Sequence, residues 1–258
     1  MLRVLDLFSG IGGFSLGLER TGGFKTVAFC EIDPFCRRVL AKHWPEVPCY
    51  DDVRTLSAER LAADGIAVDA ICGGFPCQDI SEANVGGAGL DGPRSGLWFE
   101  YARIIGELRP AFLIVENTSA LLGRGLGRVL GSLATLGYDA EWDSIPASAL
   151  GAPHERDRVW IVAYPSAPER GEIIGRSNLD RAHSIFAERK ENAGGASELP
   201  PAAWLRPWLE VADCARHLDD GVSRGFHGFN GLANAVVPQI PELIGRAILA
   251  SLDARAAA

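Results

Sequence analysis

The chain opens on a buried strand that runs straight into a glycine turn and a helix. Leu2 to Phe8 is strand-like and apolar, Ser9, Gly10, Gly12 and Gly13 follow, and Phe14 to about Arg20 has helical spacing. Thr26 to Ile32 reads as a second strand with Glu31 at its end, and Pro34 starts a helix whose N-cap is Asp33. Val68 to Cys72 and Ala111 to Val115 repeat the theme, with a helix predicted over Gly96 to Leu108 between them. Alternation of this kind predicts an α/β fold with a mostly parallel sheet. Tyr138 to Ile145 and Arg158 to Ala163 read as antiparallel strands around a turn at Gly151, Ala152 and Pro153, so the sheet ends mixed. From Pro165 to Gly225 the chain is rich in Arg, Glu, Pro and Ala without clear periodicity, which marks a separate small lobe, and Pro241 to Asp253 has the spacing of a packed helix.

Composition narrows the function classes. With 47% hydrophobic and 22% charged residues in 258, disordered and collagen-like chains are excluded. The longest apolar runs, Phe112 to Val115 and Trp160 to Ala163, are strand-sized, against about 20 residues for a membrane span. The N-terminus lacks the pattern of a signal peptide, so a cytoplasmic, membrane-free protein is expected. None of the cysteines at 30, 36, 49, 72, 77 and 214 forms a CxxC pair, and Cys214 and His217 have no second pair at zinc-finger distance, so reduced thiols and no metal are expected. A net charge of -8 argues mildly against a nucleic-acid partner. Binding needs only one cationic face, however, and nearly all the positive charge is arginine, the better phosphate and base-edge ligand.

In an open α/β sheet, ligands bind beyond the carboxyl ends of the strands, where a glycine turn admits the ligand and an acid after the second strand can hold ribose hydroxyls. DLFSGIGGF supplies such a turn and Glu31 the acid, although Ser15 breaks the G-x-G-x-x-G pattern of dinucleotide sites and an ordinary tight turn reads the same way. GGFPCQDIS places Cys77 directly after a strand, where a thiol can be exposed and activated. A single cysteine is more often a small buried hydrophobe, which is the reading given to Cys30, Cys36, Cys49, Cys72 and Cys214. Glu116 ends the apolar run FLIVEN at the same sheet edge, where a carboxylate, like Asn117, Thr118 or Ser119, also serves as a helix cap. Arg156 and Arg158 in HERDRVW are two apart, so in extended chain they share a face, as they would on a plain solvated strand.

Taken together and in order, FSGIGGF, Glu31, GFPCQ, RSGL, ENT, RDR and LANAVVPQ resemble the DNA (cytosine-5) methyltransferase family. The resemblance covers roughly Leu5 to Ser166 and Gly231 to Ile248 and leaves the middle lobe unmatched. It implies a Rossmann-like, mostly parallel mixed sheet of the S-adenosylmethionine-dependent methyltransferase fold. Residues 1–165 and 226–258 would form the catalytic, cofactor-binding domain, and 166–225 a small inserted target-recognition lobe. The cofactor is implied to lie against Phe8, Gly10, Ile11, Gly13, Glu31, Ile32, Asp52, Val53, Pro76, Leu97 and Asn234, leaving as S-adenosylhomocysteine, with no metal.

The implied chemistry rests on Cys77, Glu116, Arg156 and Arg158. Carbon 5 of cytosine becomes nucleophilic only after a thiolate adds to carbon 6, and Glu116 would hold the ring at N3 and the amino group. Arg156 and Arg158 would bind the flipped nucleotide, with Arg158 also positioning Glu116. The base must leave the duplex, and the glycine-rich segment Ser81 to Arg94 matches the family's closing loop. The implied partner is double-stranded DNA, recognised at a short specific sequence by a monomer, with a cognate restriction endonuclease acting separately. Ile32, His154, Thr118 and Ala233 depart from the residues usual in the family. Arg170, Arg176, Arg181, Arg189, Lys190 and Arg206 are candidate DNA contacts in the lobe. Alternative readings are a tRNA (cytosine-5) methyltransferase, a non-catalytic DNA-binding relative, and a nicotinamide-dependent oxidoreductase, against which Ser15 speaks.

Overall fold

Leu2–Leu7 (β1) is apolar at every position except Arg3 and Asp6, and its side chains enter hydrophobic clusters on both sides of the sheet, Leu5 and Leu7 on one and Val4 on the other. Such a strand belongs in the sheet interior. In this computed structural model, which describes residues 1–76, 96–150, 156–166 and 235–256, β1 pairs in parallel with Phe24–Cys30 (β2) and with Ala70–Gly73 (β4). The strand Cys49–Tyr50 (β3) extends the sheet beyond β2, and Phe112–Thr118 (β5) pairs in parallel with β4. Asp157–Pro165 (β7) runs antiparallel between β5 and Tyr138–Pro146 (β6), which closes the order β3-β2-β1-β4-β5-β7-β6 among the described residues.

Helices cover both faces. Gly13–Glu19 (α1) and the C-terminal Gln239–Ala256 (α7) pack on one face, where Phe14, Leu18, Leu243, Ile244, Ala247 and Ile248 are buried. Each such side chain stabilises the fold by roughly 1.5–3 kcal/mol for the larger aliphatics. Ala58–Ala63 (α3), Leu97–Leu108 (α4) and Leu126–Thr135 (α6) cover the other with Leu61, Trp98, Tyr101, Ile104, Ile105, Val129 and Leu133. Pro34–His43 (α2) follows β2, and the short Leu121–Arg124 (α5) links β5 to α6. The two ends of the chain meet tightly, because a Cβ on Gly13 or Gly17 would collide with the backbone carbonyls of Val236 and Pro238. Among the described residues no helix is long and apolar enough to cross a membrane.

The expected alternation is present, with boundaries shifted by tertiary pairing. β5 runs on to Thr118 instead of ending near Val115, because Glu116, Asn117 and Thr118 continue the antiparallel ladder opposite Trp160, Val159 and Arg158. Glu116 therefore stands inside a strand. β2 ends at Cys30, one residue before Glu31. α7 begins ahead of Pro241, which is tolerated in a first turn where its missing N–H has no intrahelical partner. The turn expected at Gly151 to Pro153 and the lobe beyond Ser166 lie outside the described residues.

Asp33 caps α2 as its sequence indicates, its carboxylate accepting from the backbone N–H of Phe35 at 2.7 Å and of Cys36 at 3.4 Å. Replacing Asp33 by alanine is expected to cost about 1 kcal/mol, read as a lower midpoint in urea or thermal unfolding with an unchanged m-value.

Candidate active site

The parallel strands end on one edge of the sheet, and a cavity of about 640 Å³ opens there. Each strand contributes the residues just past, or at, its carboxyl end: Phe8 and Gly10 after β1, Glu31, Ile32 and Asp33 after β2, Asp51, Asp52, Val53 and Arg54 after β3. Gly74, Phe75 and Pro76 come from β4, and Glu116, Asn117 and Thr118 from β5, with Leu97 from α4 and Arg156 and Arg158 from the antiparallel side. This is the edge at which open α/β sheets hold ligands.

One half of the cavity is acidic. Glu31 closes the glycine turn on itself, its carboxylate accepting from Gly10 N–H at 2.7 Å and from Asp33 N–H at 2.8 Å. Burial pushes the Glu31 carboxyl up, opposed by the Asp33 and Gly10 backbone bonds. A carboxylate has about four lone-pair sites, so capacity for a ligand remains. Beneath the turn, Asp6 is fully buried and accepts from Ser15 Oγ at 2.7 Å, and burial raises it to about 8. Asp52 receives both Nε and Nη2 of Arg54, and that pairing lowers its carboxyl below the usual range. Ile32 presents an apolar side chain that is 66% exposed.

The other half is built on an ion pair. Glu116 is only 9% exposed, and its Oε1 lies 3.0 Å from Nε of Arg158. Burial raises the Glu116 carboxyl, while the charges of Arg158 and Arg156 act in the opposite direction. The net effect is a group that holds a proton more readily than an exposed glutamate, beside a fixed cation. Two neighbours keep it there. A Cβ on Gly74 would stand 2.7 Å from Glu116 Oε2, so only glycine leaves room for the carboxylate. Asn117 donates through Nδ2 to the Phe75 carbonyl at 3.1 Å and accepts from Thr118 N–H at 2.9 Å, tying β5 to the segment that leads into position 77.

Of the residues singled out in the sequence, Phe8, Gly10, Glu31, Ile32, Asp52, Val53, Pro76, Leu97, Glu116, Arg156 and Arg158 line this one cavity. Ile11 and Gly13 do not. Ile11 is 1% exposed and packs with Cys36, Val39 and Ala235, and Gly13 faces the Val236 carbonyl, because the turn directs those positions inward as its support. Arg156 lines the cavity without being in extended chain: it precedes β7 with φ 38, and its Nη2 donates to the Ala235 carbonyl at 2.8 Å. Cys77 and Asn234 lie outside the described residues, as does the segment Ser81 to Arg94. Gly74 and Asn117, which set the position of Glu116, were missed as site residues. The double glycine of GGFPCQ was their only sequence signal.

A carboxyl held near protonation, two guanidinium groups and a glycine turn around one cavity suit transfer to a polar heterocycle. The family model for C-5 cytosine-specific DNA methylases matches residues 2–190. The chain belongs to this family. Among curated members it is 36% identical over 170 residues to the type II methyltransferase M2.BsuMI of Bacillus subtilis, covering 63% of this chain and 42% of that protein. It is 32% identical over 211 residues to M.Sau3AI of Staphylococcus aureus, covering 72% and 50%. The chain thus spans about half the length, or less, of these methylases. The structure of the Entamoeba histolytica methyltransferase EhMeth superposes with a TM-score of 0.66 over 98% of this chain and 99% of that one. At 12% identity this likeness bears on the fold alone, which is the Rossmann-like methyltransferase fold expected of a cytosine-specific methylase.

Proposed function

We propose that this methylase transfers a methyl group from S-adenosylmethionine to carbon 5 of a cytosine in double-stranded DNA, within a short specific sequence, through a covalent adduct on Cys77. The observation that carries this reading is the buried Glu116–Arg158 pair facing a cavity whose wall includes Pro76, the residue before Cys77. The cavity volume is within the range of about 300–1,000 Å³ usual for ligands of the cofactor's size. The residues present fit the cofactor: Phe8, Gly10, Glu31, Ile32, Asp52, Val53, Pro76, Leu97 and Asn234 would hold it, and Ile11 and Gly13 would support the turn from behind. When bound, S-adenosylmethionine supplies a methyl group on a sulfonium, an electrophile that needs no further activation.

The rest of the chemistry falls to the protein. The Cys77 thiolate adds to carbon 6 of the ring, forming a carbon–sulfur bond, and the electron pair displaced from the 5,6 double bond builds up toward N3 and carbon 5. Glu116 in its acid form hydrogen-bonds N3 and takes up that charge, while its raised affinity for a proton matches the task. Arg158 fixes the Glu116 carboxyl, and Arg156 and Arg158 bind the nucleotide. Once carbon 5 has accepted the methyl group, loss of its proton and expulsion of the Cys77 thiolate restore the aromatic ring. The cytosine reaches the cavity by leaving the duplex, at a cost of a few kcal/mol.

Residues 1–165 and 226–258 form the catalytic domain of this proposal, and 166–225 the target-recognition lobe. The relatives' type II names support a role beside a restriction endonuclease that acts separately, with the methylase working as a cytoplasmic monomer. Incubation with tritiated-methyl S-adenosylmethionine and mixed-sequence duplex DNA, followed by mass spectrometry of the nucleosides, should give 5-methylcytosine. Label in tRNA and none in DNA would replace the DNA substrate by RNA, and cofactor binding without transfer to either would reduce the chain to a binding module.

A further inference from the structure

Between Glu116 and Asp139 the chain has no acidic residue, and its only charges are Arg124 and Arg128, in a protein of net charge -8. This stretch leaves the cavity rim directly: Glu116, Asn117 and Thr118 line the cavity, and α5 starts at Leu121. α6 buries Leu126, Val129 and Leu133 and turns Gly127, Arg128 and Gly131 outward, while α5 exposes Leu122, Gly123 and Arg124. Gly123, Gly127 and Gly131 recur at one helical turn, and a Cβ on any of them would meet nothing within 4 Å. Packing therefore does not require these glycines, although glycine is among the poorest helix formers. Phe99 and Leu122 are 47% and 43% exposed, and the Arg128 guanidinium lies 5.8 Å from the Phe99 ring centre. The nearest acid in sequence to Phe99, Glu100, is paired with Arg103.

We propose that this α5–α6 face is a docking surface for the sugar–phosphate backbone of duplex DNA beside the extruded base, an inference that rests on the methyltransferase reading. Charge selects the partner: an acid-free, arginine-bearing face on an acidic protein attracts a polyanion. Arginine is suited to it, since its planar fork pairs with phosphate in two parallel bonds. The glycine stripe lets a ribose–phosphate chain come to backbone distance. The face also continues from the rim of the cavity that the base must enter, so bound DNA would span both.

The test is fluorescence anisotropy of the intact chain on a short duplex at several salt concentrations, beside thermal unfolding and cofactor titration. The double variant Arg124→Gln/Arg128→Gln should bind duplex roughly tenfold more weakly near 0.1 M salt, with a log–log salt slope smaller by about 2 and unchanged cofactor affinity. Gly127→Gln/Gly131→Gln should unfold at a higher temperature, since glutamine is the better helix former, and yet bind duplex more weakly. A purely structural role would move stability and binding together. Parental affinity and salt slope in both variants would overturn the proposal. So would a glycine variant that turns a dimer into a monomer without changing DNA binding, which assigns the face to a second copy. Failure of the methyltransferase reading registers separately, as absence of 5-methylcytosine from a parental chain that still binds duplex.

Discussion

Glu116→Gln should lower methyl transfer by roughly 10²–10⁴-fold while leaving cofactor affinity nearly unchanged. Glutamine keeps the shape and one acceptor for Arg158, so the 3.0 Å contact survives as a neutral hydrogen bond. The lost property is the proton. In the parental protein burial raises the Glu116 carboxyl, and Arg158 and Arg156 oppose the rise. The acid form is therefore present at higher pH than for an exposed glutamate, and it is lost as pH climbs through the raised value. The kcat/KM profile of the parental chain should fall on its alkaline side as Glu116 ionises, and the variant should lack that limb. An alkaline limb that persists unchanged in Glu116→Gln would assign the ionisation to another group.

The second large effect is expected from a residue with no chemistry of its own. Gly74→Ala places a methyl group where Glu116 Oε2 stands 2.7 Å away, with the Glu116 carbonyl oxygen at 3.4 Å. The carboxylate is the end of a side chain and can turn aside, so the thermal midpoint should change little. Turning aside breaks its alignment with Arg158 and with the base, and a misplacement of about 1 Å costs on the order of 10²-fold in rate. A retained fold with activity lost by about that factor, measured as kcat on duplex DNA against thermal unfolding, is the expected pair of results. Full activity would mean that the observed Glu116 rotamer is not the working one.

Gly74 shows where reading from sequence stops. Strand, glycine turn and helix at the N-terminus, the Asp33 cap and the antiparallel pair at the sheet's end are local patterns, and each is present in the structure. The cavity was legible for the same reason, since its lining sits at strand ends that apolar runs betray. A motif does not distinguish the residue that faces the ligand from the one that holds it. Gly10 lines the cavity, whereas Ile11 and Gly13, in the same turn, pack against the far end of the chain. β5 was read as ending at Val115 because the polar run after it resembles a cap, whereas pairing with β7 some forty residues on carries it to Thr118. Arg156 was placed in extended chain beside Arg158, whereas its backbone is left-handed and its guanidinium reaches a carbonyl of residue 235. The two-residue β3 and the one-turn α5 are too short to show a period at all.

The central claim is that Cys77 bonds to the base, and trapping tests it most directly. A pool of mixed-sequence duplexes carrying 5-fluorocytosine would be incubated with the protein and S-adenosylmethionine, then examined by denaturing electrophoresis and intact mass. Fluorine on carbon 5 cannot leave as a proton does, so the adduct should persist. The parental chain should give a covalent protein–DNA species, its DNA attached at Cys77, and Cys77→Ala should give none. An adduct formed equally well by Cys77→Ala, or none from a parental chain that methylates the unmodified duplex, would contradict it.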